Sequence, residues 1–329
     1  MRAVWYERTG PAADVLVCGR LPDPEPGPGE VLVRVRASGV NPSDTKQRGG
    51  WRGARPAFPL IVPHADGAGE IVACGAGVSR RVGERVWIYN GVGLYDARRA
   101  TGTCAELIAL PGAQAVPLPD GVEFVAGATF GIPAQTAHRT VFADGPVAGQ
   151  TILVAGGAGA VGHYAIQFAR LAGAKVIATV SGPAKAAHAR AAGAETTIDR
   201  RQEDVAKRVR EIVGAVDRIV EVDLGANLAI DAAVLAQNGT IASYSSTAVP
   251  EPVFPYYPLA FKGANLRLVQ GYNLPAAARA AAIADIGRWS AEGKLTHAIA
   301  RRFPLSETAA AHEFLESGTA IGNVVVEID

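Results

Sequence analysis

The sequence predicts an α/β protein built from a β-domain and a doubly wound parallel sheet, and three observations predict it. Short runs in which apolar and polar residues alternate fill the first 124 residues. Strand–helix–strand units repeat after residue 124, and a glycine-rich loop follows the first of their strands. At 329 residues the chain is long enough for two domains of ordinary size.

The N-terminal part is rich in Gly and Pro and carries Val-rich runs with a period of two. Such runs, separated by turn residues, are typical of the strands of a twisted, barrel-like β-domain. The runs are VLVRVRASGV (31–40), GEIVACG (69–75), RVGERVWIYN (81–90) and AELIAL (105–110).

After Phe124 the pattern changes to Ala-rich helical stretches that alternate with short apolar strands, which predicts a parallel sheet with helices on both faces. The expected strands are TILVA (151–155), KVIATV (175–180), 196–198, DRIVEV (217–222) and TIASYS (240–245). The first expected helix ends at Leu171, and three further helices are expected over about 184–192, 203–213 and 227–236. From about Pro275 we expect a long helix to near Gly293, the strand IARRF, a helix from Ser306 and the strand NVVVEI.

The loop VAGGAGAVG (154–162) is predicted to bind a dinucleotide, because it follows a predicted strand and opens a predicted helix. Its G-x-G-x-x-G pattern places Gly157 for a tight turn, Gly159 for close approach to a pyrophosphate, and Gly162 for helix–strand packing. The phosphates of a dinucleotide would lie on the N–H groups of the helix start. The predicted binding residues of the loop are Gly157, Ala158, Gly159, Ala160, Val161 and Gly162.

The acid that usually binds the adenosine ribose about 20 residues after this loop is missing, since no Asp or Glu lies between Gly162 and Glu195. Ser181 offers a hydrogen bond there and Lys185 a positive charge, and Arg200 or Arg201 offers a donor fork suited to phosphate. The site is therefore predicted to take the 2′-phosphate of NADPH. The alternative is that Lys185 is only a solvated residue in the first turn of its helix.

Composition excludes several other classes of function. The net charge of +1 and an aromatic content of 6% argue against a nucleic-acid module. Three cysteines without a C-x-x-C pair favour a reducing compartment. No stretch approaches the roughly 20 apolar residues of a membrane helix, and MRAVWYERTG lacks an apolar signal core. We expect a cytoplasmic chain.

Several segments together resemble one family nearly from end to end. They are PGPGEVLVRVRASGVNPSDTKQRGG, ADGAGEIVACGAGV, VGERVW, GTCAEL, GIPAQTAHRT, AGGAGAVGHYAIQFARLAGA and the closing VVV strand. The chain thus resembles the zeta-crystallin-like NADPH:quinone oxidoreductases of the medium-chain dehydrogenase/reductase superfamily. The resemblance implies a GroES-like β-barrel catalytic domain (residues 1–124 and 270–329) and an inserted Rossmann NADPH-binding domain (residues 125–269).

The resemblance also implies that no metal is bound. The zinc enzymes of the superfamily use a Cys and a His at the positions where this chain has Asn41 and Ala65. His64 is one residue away from the His position, and Asp66 alone does not hold a metal. A catalytic zinc site needs three protein ligands.

The same resemblance implies further site residues. Asn41 is expected near the nicotinamide ribose and Thr136 near the nicotinamide ring, and Ser243, Tyr244 and Ser245 near the coenzyme at the end of the fifth strand. Lys46 stands where the family often has a substrate-lining tyrosine. Asn41, Lys46 and Thr136 are the candidate catalytic residues. The alternatives are that Asn41 caps the turn into PSDTK, that Thr136 packs between helices and that Lys46 is solvated.

Three functions remain open at this stage. The first is NADPH-dependent reduction of a quinone; the second is reduction of the C=C bond of an enone, a 2-alkenal or an enoyl thioester. A basic entrance formed by Arg48, Arg52 and Arg55 around Trp51 would suit a thioester. The third is an RNA-binding or structural, crystallin-like role; a degenerate form of the first, which binds NADPH without turnover, is also left open. A homodimer is expected through the strand LRLVQG (266–271).

Overall fold

A computed structural model describes residues 1–53, 55–92 and 100–329. These residues form two compact units, one of Met1–Ile132 with Ile283–Asp329 and the other of Pro133–Ala282. The units divide later along the chain than the functional boundaries expected at residues 124 and 269. The assignment of catalysis and coenzyme binding to those segments stays a proposal.

Fifteen strands and eleven α-helices lie in the described parts of the chain. The strands are β1 (Arg2–Trp5), β2 (Val17–Arg20), β3 (Glu30–Val40), β4 (Asp66–Cys74), β5 (Arg85–Ile88), β6 (Leu107–Pro111), β7 (Ala115–Pro117), β8 (Thr151–Val154), β9 (Lys175–Val180), β10 (Thr196–Asp199), β11 (Val216–Glu221), β12 (Leu235–Ser243), β13 (Asn265–Leu268), β14 (Ile299–Pro304) and β15 (Asn323–Glu327). The helices are α1 (Ala12–Val15), α2 (Pro42–Gly49), α3 (Phe124–Gly127), α4 (Gln135–Phe142), α5 (Ala160–Leu171), α6 (Pro183–Ala191), α7 (Val205–Val213), α8 (Leu224–Val234), α9 (Tyr256–Ala260), α10 (Ala276–Ala291) and α11 (Thr308–Glu316).

The first unit is built on a seven-stranded sheet in which β3 is the central strand. The strand order is β14-β15-β3-β4-β5-β7, and β6 also pairs with β3. Val31, Val33 and Val35 of β3 are buried, and they belong to one apolar core with residues of β4, β5, β6 and β15. The period of two in the sequence therefore corresponds to a strand with one face in the core.

The second unit is a six-stranded parallel sheet, which confirms the predicted doubly wound arrangement. Its strand order is β10-β9-β8-β11-β12-β13. The order reverses at β8, which pairs with β9 on one side and with β11 on the other. Ligands of such sheets bind outside the carboxyl ends of the strands at this reversal. The glycine-rich loop leaves β8 at that point.

In the second unit, two element boundaries differ from the sequence prediction by three residues or more. The helix expected over 227–236 is α8, which begins at Leu224, and the strand expected from residue 240 begins at Leu235. Leu235, the residue that follows α8, already has extended dihedral angles (φ −64°, ψ 136°). The helix and the strand follow each other directly, without a glycine stop, so the apolar sequence gave no signal for the change.

The remaining helices are short or moderately long. The longest of those in the described residues, α10, has 16 residues. Among the residues that the structure describes, none of the helices combines the length and the apolar character that crossing a membrane demands.

Candidate functional site

The turn of the glycine-rich loop is made by Gly156. Its φ of 69° lies in the left-handed region, where a glycine costs little. The N–H of Gly156 donates to Thr179 Oγ1 (3.1 Å), and the N–H of Gly157 donates to the Thr179 carbonyl (3.0 Å). The glycine motif predicted the tight turn at Gly157, and no local pattern pointed to Thr179. The turn thus begins one residue earlier and is held by strand β9.

Gly157 and Gly162 are required for packing, whereas Gly159 is open. An ideal Cβ on Gly157 would lie 2.7 Å from Ala178 Cβ, and one on Gly162 would lie 2.3 Å from the Gly156 carbonyl oxygen. A Cβ on Gly159 meets only the Gly156 carbonyl oxygen, at 3.4 Å. Gly159 is exposed and is the N-cap of α5, whose first turn contains Ala160 and Val161. The open side of the loop therefore faces a helix start with free N–H groups.

The predicted adenosine residues lie together at the carboxyl ends of β9 and β10. Ser181 follows β9 directly, and Lys185 is in the first turn of α6. Arg200 follows β10, and its N–H donates to the carbonyl of Val180, the last residue of β9 (3.0 Å). All three predicted residues thus come from chain segments that meet at one end of two neighbouring strands.

Asp199 is a residue at this edge that the sequence analysis missed. It ends β10, and its Oδ1 accepts a hydrogen bond from the Arg201 N–H (3.0 Å). With Gly182, Ala186 and Arg190 it lines a surface recess at the ends of β9 and β10. The ribose-binding acid of such folds is expected at the end of the second strand of the sheet, whereas Asp199 ends the third.

Ser243, Tyr244 and Ser245 lie at the end of β12, beside the end of β11. The Ser243 hydroxyl donates to the Ser245 carbonyl (3.1 Å), and the Tyr244 N–H donates to the Glu221 carbonyl (3.1 Å). Burial raises the pKa of Tyr244 above its ordinary value and also raises the pKa of Glu221. The parallel pairing places these residues on the same edge of the sheet as the glycine-rich loop.

Thr136 is a buried polar residue of α4, only 3% exposed. Its Oγ1 has no hydrogen-bond partner in the part of the chain that the structure describes. An unpaired buried hydroxyl costs roughly 1–3 kcal/mol, so helix packing alone does not account for a threonine here. A ligand that offers a polar group would satisfy this oxygen.

In the first unit, Asn41 contacts two carboxyl groups. It is the N-cap of α2, and its main-chain N–H donates to Asp44 Oδ2 (2.8 Å). Its side-chain Nδ2 donates to Asp66 Oδ2 (2.8 Å). The antiparallel register of β3 and β4, in which Gly39 pairs with Asp66, brings these residues together. Asn41 therefore occupies the capping position and also binds the carboxyl of Asp66.

The two carboxyl groups beside Asn41 favour the protonated form. Burial raises the pKa of Asp44 to about 7 and raises the pKa of Asp66 well above its ordinary value. The Ile132 N–H donates to Asp66 Oδ2 (2.8 Å). An ideal Cβ on Gly131 would lie 1.9 Å from Asp66 Oδ1, so only glycine fits against this carboxyl. From the sequence, Asp66 was weighed only as a metal ligand, and this contact was not predicted.

The cationic side chains expected around Trp51 do not all lie on the surface. Lys46 Nζ lies 5.0 Å from the centroid of the Trp51 ring, and Arg52 Cζ lies 5.7 Å from it. Trp51 is 42% exposed. Arg48, in contrast, is buried, donates to the Gly10 carbonyl (2.5 Å) and pairs with Glu316. The expected basic entrance is therefore wrong in its first member, because α2 turns Arg48 inward.

His64, one residue from the zinc-ligand position, is already held by other side chains. The described residues contain no cluster of three or more His, Cys, Asp or Glu side chains arranged to hold a metal ion. Both ring nitrogens of His64 are engaged within the protein, Nδ1 with Ser38 Oγ (2.8 Å) and Nε2 with His312 Nε2 (2.8 Å). His64 thus offers no nitrogen to a ligand.

Comparisons with known proteins agree with this geometry. Residues 27–120 match the alcohol dehydrogenase GroES-like domain, and residues 160–286 match the family described as zinc-binding dehydrogenase. A quinone oxidoreductase of Pseudomonas aeruginosa is 34% identical over 313 residues, which cover 92% of each chain. The chain belongs to the quinone oxidoreductase family. The human quinone oxidoreductase is 28% identical over 337 residues, 99% of this chain and 97% of the relative.

Solved structures extend the likeness to the whole fold of this family within the medium-chain dehydrogenase/reductase superfamily. A mycobacterial protein solved in complex with NADPH has a TM-score of 0.87 and 29% identity, over 99% of this chain and 100% of that one. A quinone oxidoreductase of Pseudomonas syringae has a TM-score of 0.84 and 30% identity, over 99% of both chains. The protein is therefore an oxidoreductase, and the predicted GroES-like and Rossmann folds are confirmed.

Proposed function

We propose that this protein is an NADPH-dependent quinone oxidoreductase that works without zinc. The observation that carries the proposal is the carboxyl edge of the parallel sheet, where an open glycine loop stands beside Ser181, Lys185 and Arg200. Membership of the quinone oxidoreductase family supports the choice of acceptor. The NADPH complex of the mycobacterial relative supports the choice of coenzyme.

The 2′-phosphate preference follows from the charges at the adenosine end. No carboxylate follows β9, and Lys185 and Arg200 contribute two cations near its end. Two acids, Asp199 and Glu203, line the recess at this edge. Asp199 Oδ1 accepts from the Arg201 N–H. The Glu203 carboxylate accepts from the Asp199 N–H and from Arg208 Nε. If two charged contacts contribute about 1.5–3 kcal/mol each, NADPH is preferred over NADH by about two to four orders of magnitude.

The residues present fit the rest of the coenzyme. The loop Gly157–Gly162, with Gly159 open, would hold the pyrophosphate, and the residues after β12, Ser243, Tyr244 and Ser245, would lie along it. The unpartnered Oγ1 of Thr136 fits the polar carboxamide of a nicotinamide. Asn41, held by Asp66, would bind the nicotinamide ribose.

The protein's own residues would bind and orient the coenzyme and the acceptor, and they would take little part in the covalent chemistry. When bound, NADPH supplies the hydride at C4 of its nicotinamide ring. Thr136 would bind the carboxamide of that ring, Asn41 would bind its ribose, and Lys46, on the helix that Asn41 caps, would orient the acceptor oxygen. The reduced quinone oxygen takes its proton from solvent, so no strong general acid is needed. With Asn41 and Ala65 at the zinc-ligand positions, no Lewis acid is invoked.

Reduction of an activated C=C bond is the second candidate, because it uses the same hydride delivery. The observation that favours it is the cationic surface of Lys46 and Arg52 at Trp51, which would suit an anionic substrate. The buried position of Arg48 weakens it, since a coenzyme A thioester calls for a broad basic entrance. We therefore rank quinone reduction first.

We further propose a homodimer located in the cytoplasm. Strand β13 is an edge of the six-stranded sheet, and Leu268 at its end is 73% exposed. Helix α9 and the residues after it expose Tyr256, Tyr257 and Phe261. An exposed edge strand with an exposed apolar surface favours pairing with a second copy. The three free cysteines suit a reducing compartment.

A coenzyme-oxidation screen tests the proposed function. NADPH oxidation is followed by the loss of NADPH absorbance. The acceptors are 1,4-benzoquinone, 9,10-phenanthrenequinone, a 2-alkenal and crotonyl coenzyme A. We expect turnover with the quinones and little with the other two. Turnover with crotonyl coenzyme A or the alkenal alone would replace quinone reduction by C=C reduction. NADPH binding without turnover of any acceptor would leave a degenerate reductase, and steeply salt-dependent RNA binding would favour the RNA-binding role.

A further inference from the structure

Four buried side chains of the first unit form a continuous hydrogen-bonded chain that ends behind the Asn41 site. His312 Nε2 lies 2.8 Å from His64 Nε2, and His64 Nδ1 lies 2.8 Å from Ser38 Oγ. Ser38 Oγ lies 2.7 Å from Thr103 Oγ1, which donates to the Asp66 carbonyl (2.5 Å). All four side chains belong to residues that are 0% exposed.

The direction of every hydrogen bond in this chain is fixed by its last acceptor. A carbonyl oxygen only accepts, so Thr103 uses its single proton on Asp66. Thr103 therefore accepts from Ser38, and Ser38, whose single proton is then used, accepts from His64 Nδ1–H. A neutral His64 protonated at Nδ1 has a bare Nε2, which accepts from His312 Nε2–H. The structure thus assigns a different tautomer to each imidazole.

Two further observations agree with this assignment. His312 Nδ1, which the assignment leaves without a proton, has no hydrogen-bond partner among the described residues. Burial lowers the pKa of His64 to about 3 and lowers the pKa of His312 well below its ordinary value, with Arg48 adding to the effect on His312. Both rings are therefore neutral near pH 7, and each carries one proton.

The hydrogen-bonded series also contains a residue with a strained backbone. His64 has a φ of 77°, in the left-handed region that non-glycine residues rarely adopt. Its ring is bonded on both sides, and its carbonyl accepts from the Thr103 N–H (3.0 Å). Strained residues of this kind persist where the surrounding contacts fix them. His64 lies two residues before Asp66, so the contacts that fix His64 also fix the start of β4.

We propose that His64 and His312 are positioning residues, which hold Asp66 and through it the side-chain amide of Asn41. Thr103 fixes the main chain of Asp66, and the Asp66 carboxyl accepts from Asn41 Nδ2 and from the Ile132 N–H. Because these two hydrogen bonds fix the carboxyl against Asn41 and the main chain at Ile132, a shift of the Asp66 main chain is passed to Asn41. The role in catalysis rests on the proposed function, whereas the positioning of Asn41 does not.

Two NMR measurements test the proposal on the full-length protein without any substrate. Long-range proton–nitrogen spectra of histidine-labelled protein report the tautomers, and we expect His64 protonated at Nδ1 and His312 at Nε2. The side-chain amide signals of Asn41, identified by their loss in Asn41→Ala, report its position. We expect His312→Leu, which removes the donor to His64, to shift the Asn41 amide signals. His312→Gln keeps a donor, so its Asn41 signals should lie at the wild-type positions. Reversed tautomers, or Asn41 signals that do not respond to His312→Leu, would overturn the proposal.

Kinetics separate the positioning role from a loss of stability. We expect His312→Leu to lower kcat/KM for NADPH oxidation by about tenfold to a hundredfold, as small misplacements of site groups do. In the Asn41→Ala background the same substitution should change kcat/KM less than about twofold, because its effect passes through Asn41. Ile108→Val, a core truncation in the same unit, is the control and should change neither the kinetics nor the Asn41 signals. An equal loss from His312→Leu in both backgrounds would contradict the proposal.

A second variant covers the case in which His312→Leu does not fold. His64→Gly removes the same chain of bonds but places a glycine at φ 77°, where it is favoured. It should fold and shift the Asn41 signals. An unchanged Asn41 amide in His64→Gly would refute the positioning role. If the wild-type protein reduces no acceptor, the proposed function fails while the NMR results still decide this proposal.

Discussion

Lys185 is the residue on which the choice of coenzyme most directly depends. It lies in the first turn of α6, just after the end of β9, where a carboxylate would exclude a 2′-phosphate. We expect Lys185→Ala to weaken NADPH binding by about ten- to a hundredfold, the loss of one charged hydrogen bond, and to leave NADH binding unchanged. Calorimetric titration with both coenzymes measures this.

The matched control is Lys207→Ala, which removes an exposed lysine of the same unit from α7. It should alter neither affinity. Equal losses of NADPH and NADH affinity in Lys185→Ala would show that the lysine does not bind the 2′-phosphate.

Asp44 gives a pH dependence whose sign follows from its burial. Burial raises its pKa in the folded protein to about 7, above its ordinary 3.8, so folding favours the protonated carboxyl. This contribution to stability is complete below the unfolded pKa and is lost as the pH rises through the folded pKa. We expect the unfolding free energy of the wild type, relative to Asp44→Asn, to fall by roughly 3 kcal/mol between pH 4.5 and 8. Urea unfolding of both proteins across this range measures the difference, and a relative gain for the wild type would contradict the account.

At the scale of elements, the turn from β8 into α5 contains glycines with two different roles. Gly162 is needed for folding, and Gly159 is needed for coenzyme binding. Gly159→Ala places its Cβ 3.4 Å from the Gly156 carbonyl oxygen at a φ of −79°, so the protein should keep its melting temperature. Coenzyme affinity should nevertheless fall, because the methyl group occupies the open side of the loop. Gly162→Ala forces a Cβ to 2.3 Å from the same oxygen and should cost about 1–3 kcal/mol of stability.

Thermal unfolding and coenzyme titration of these two variants provide the check. A Gly159→Ala protein with unchanged coenzyme affinity would argue that the phosphates lie elsewhere.

The same turn shows how far the sequence predicts the site. The strand, the loop and the helix around Gly157 and Gly162 were predictable, because local spacing encodes them. The positive φ at Gly156 and the bonds from Thr179 were not, since Thr179 belongs to the neighbouring strand. The pairing of His64 with His312 joins residues 248 positions apart, and no local pattern encodes it. The inward turn of Arg48 was missed for the same reason.

For the whole molecule, the exposed edge of the parallel sheet predicts the oligomeric state. Strand β13 ends the sheet, and Leu268 is 73% exposed. We expect light scattering at micromolar concentration to give twice the chain mass, and Leu268→Glu to give the monomer mass, because a buried unpaired charge opposes strand pairing. Val253→Glu, a change at a residue that is 95% exposed outside this strand, is the control. A monomeric wild type would end the dimer proposal.

The account as a whole depends on coenzyme preference during turnover, and one ratio measures it. With 9,10-phenanthrenequinone fixed at saturation, kcat/KM is determined for NADPH and for NADH on the same wild-type preparation. The cations at the ends of β9 and β10 predict a ratio of at least about 100 in favour of NADPH. A ratio near one, or a preference for NADH, would contradict the account.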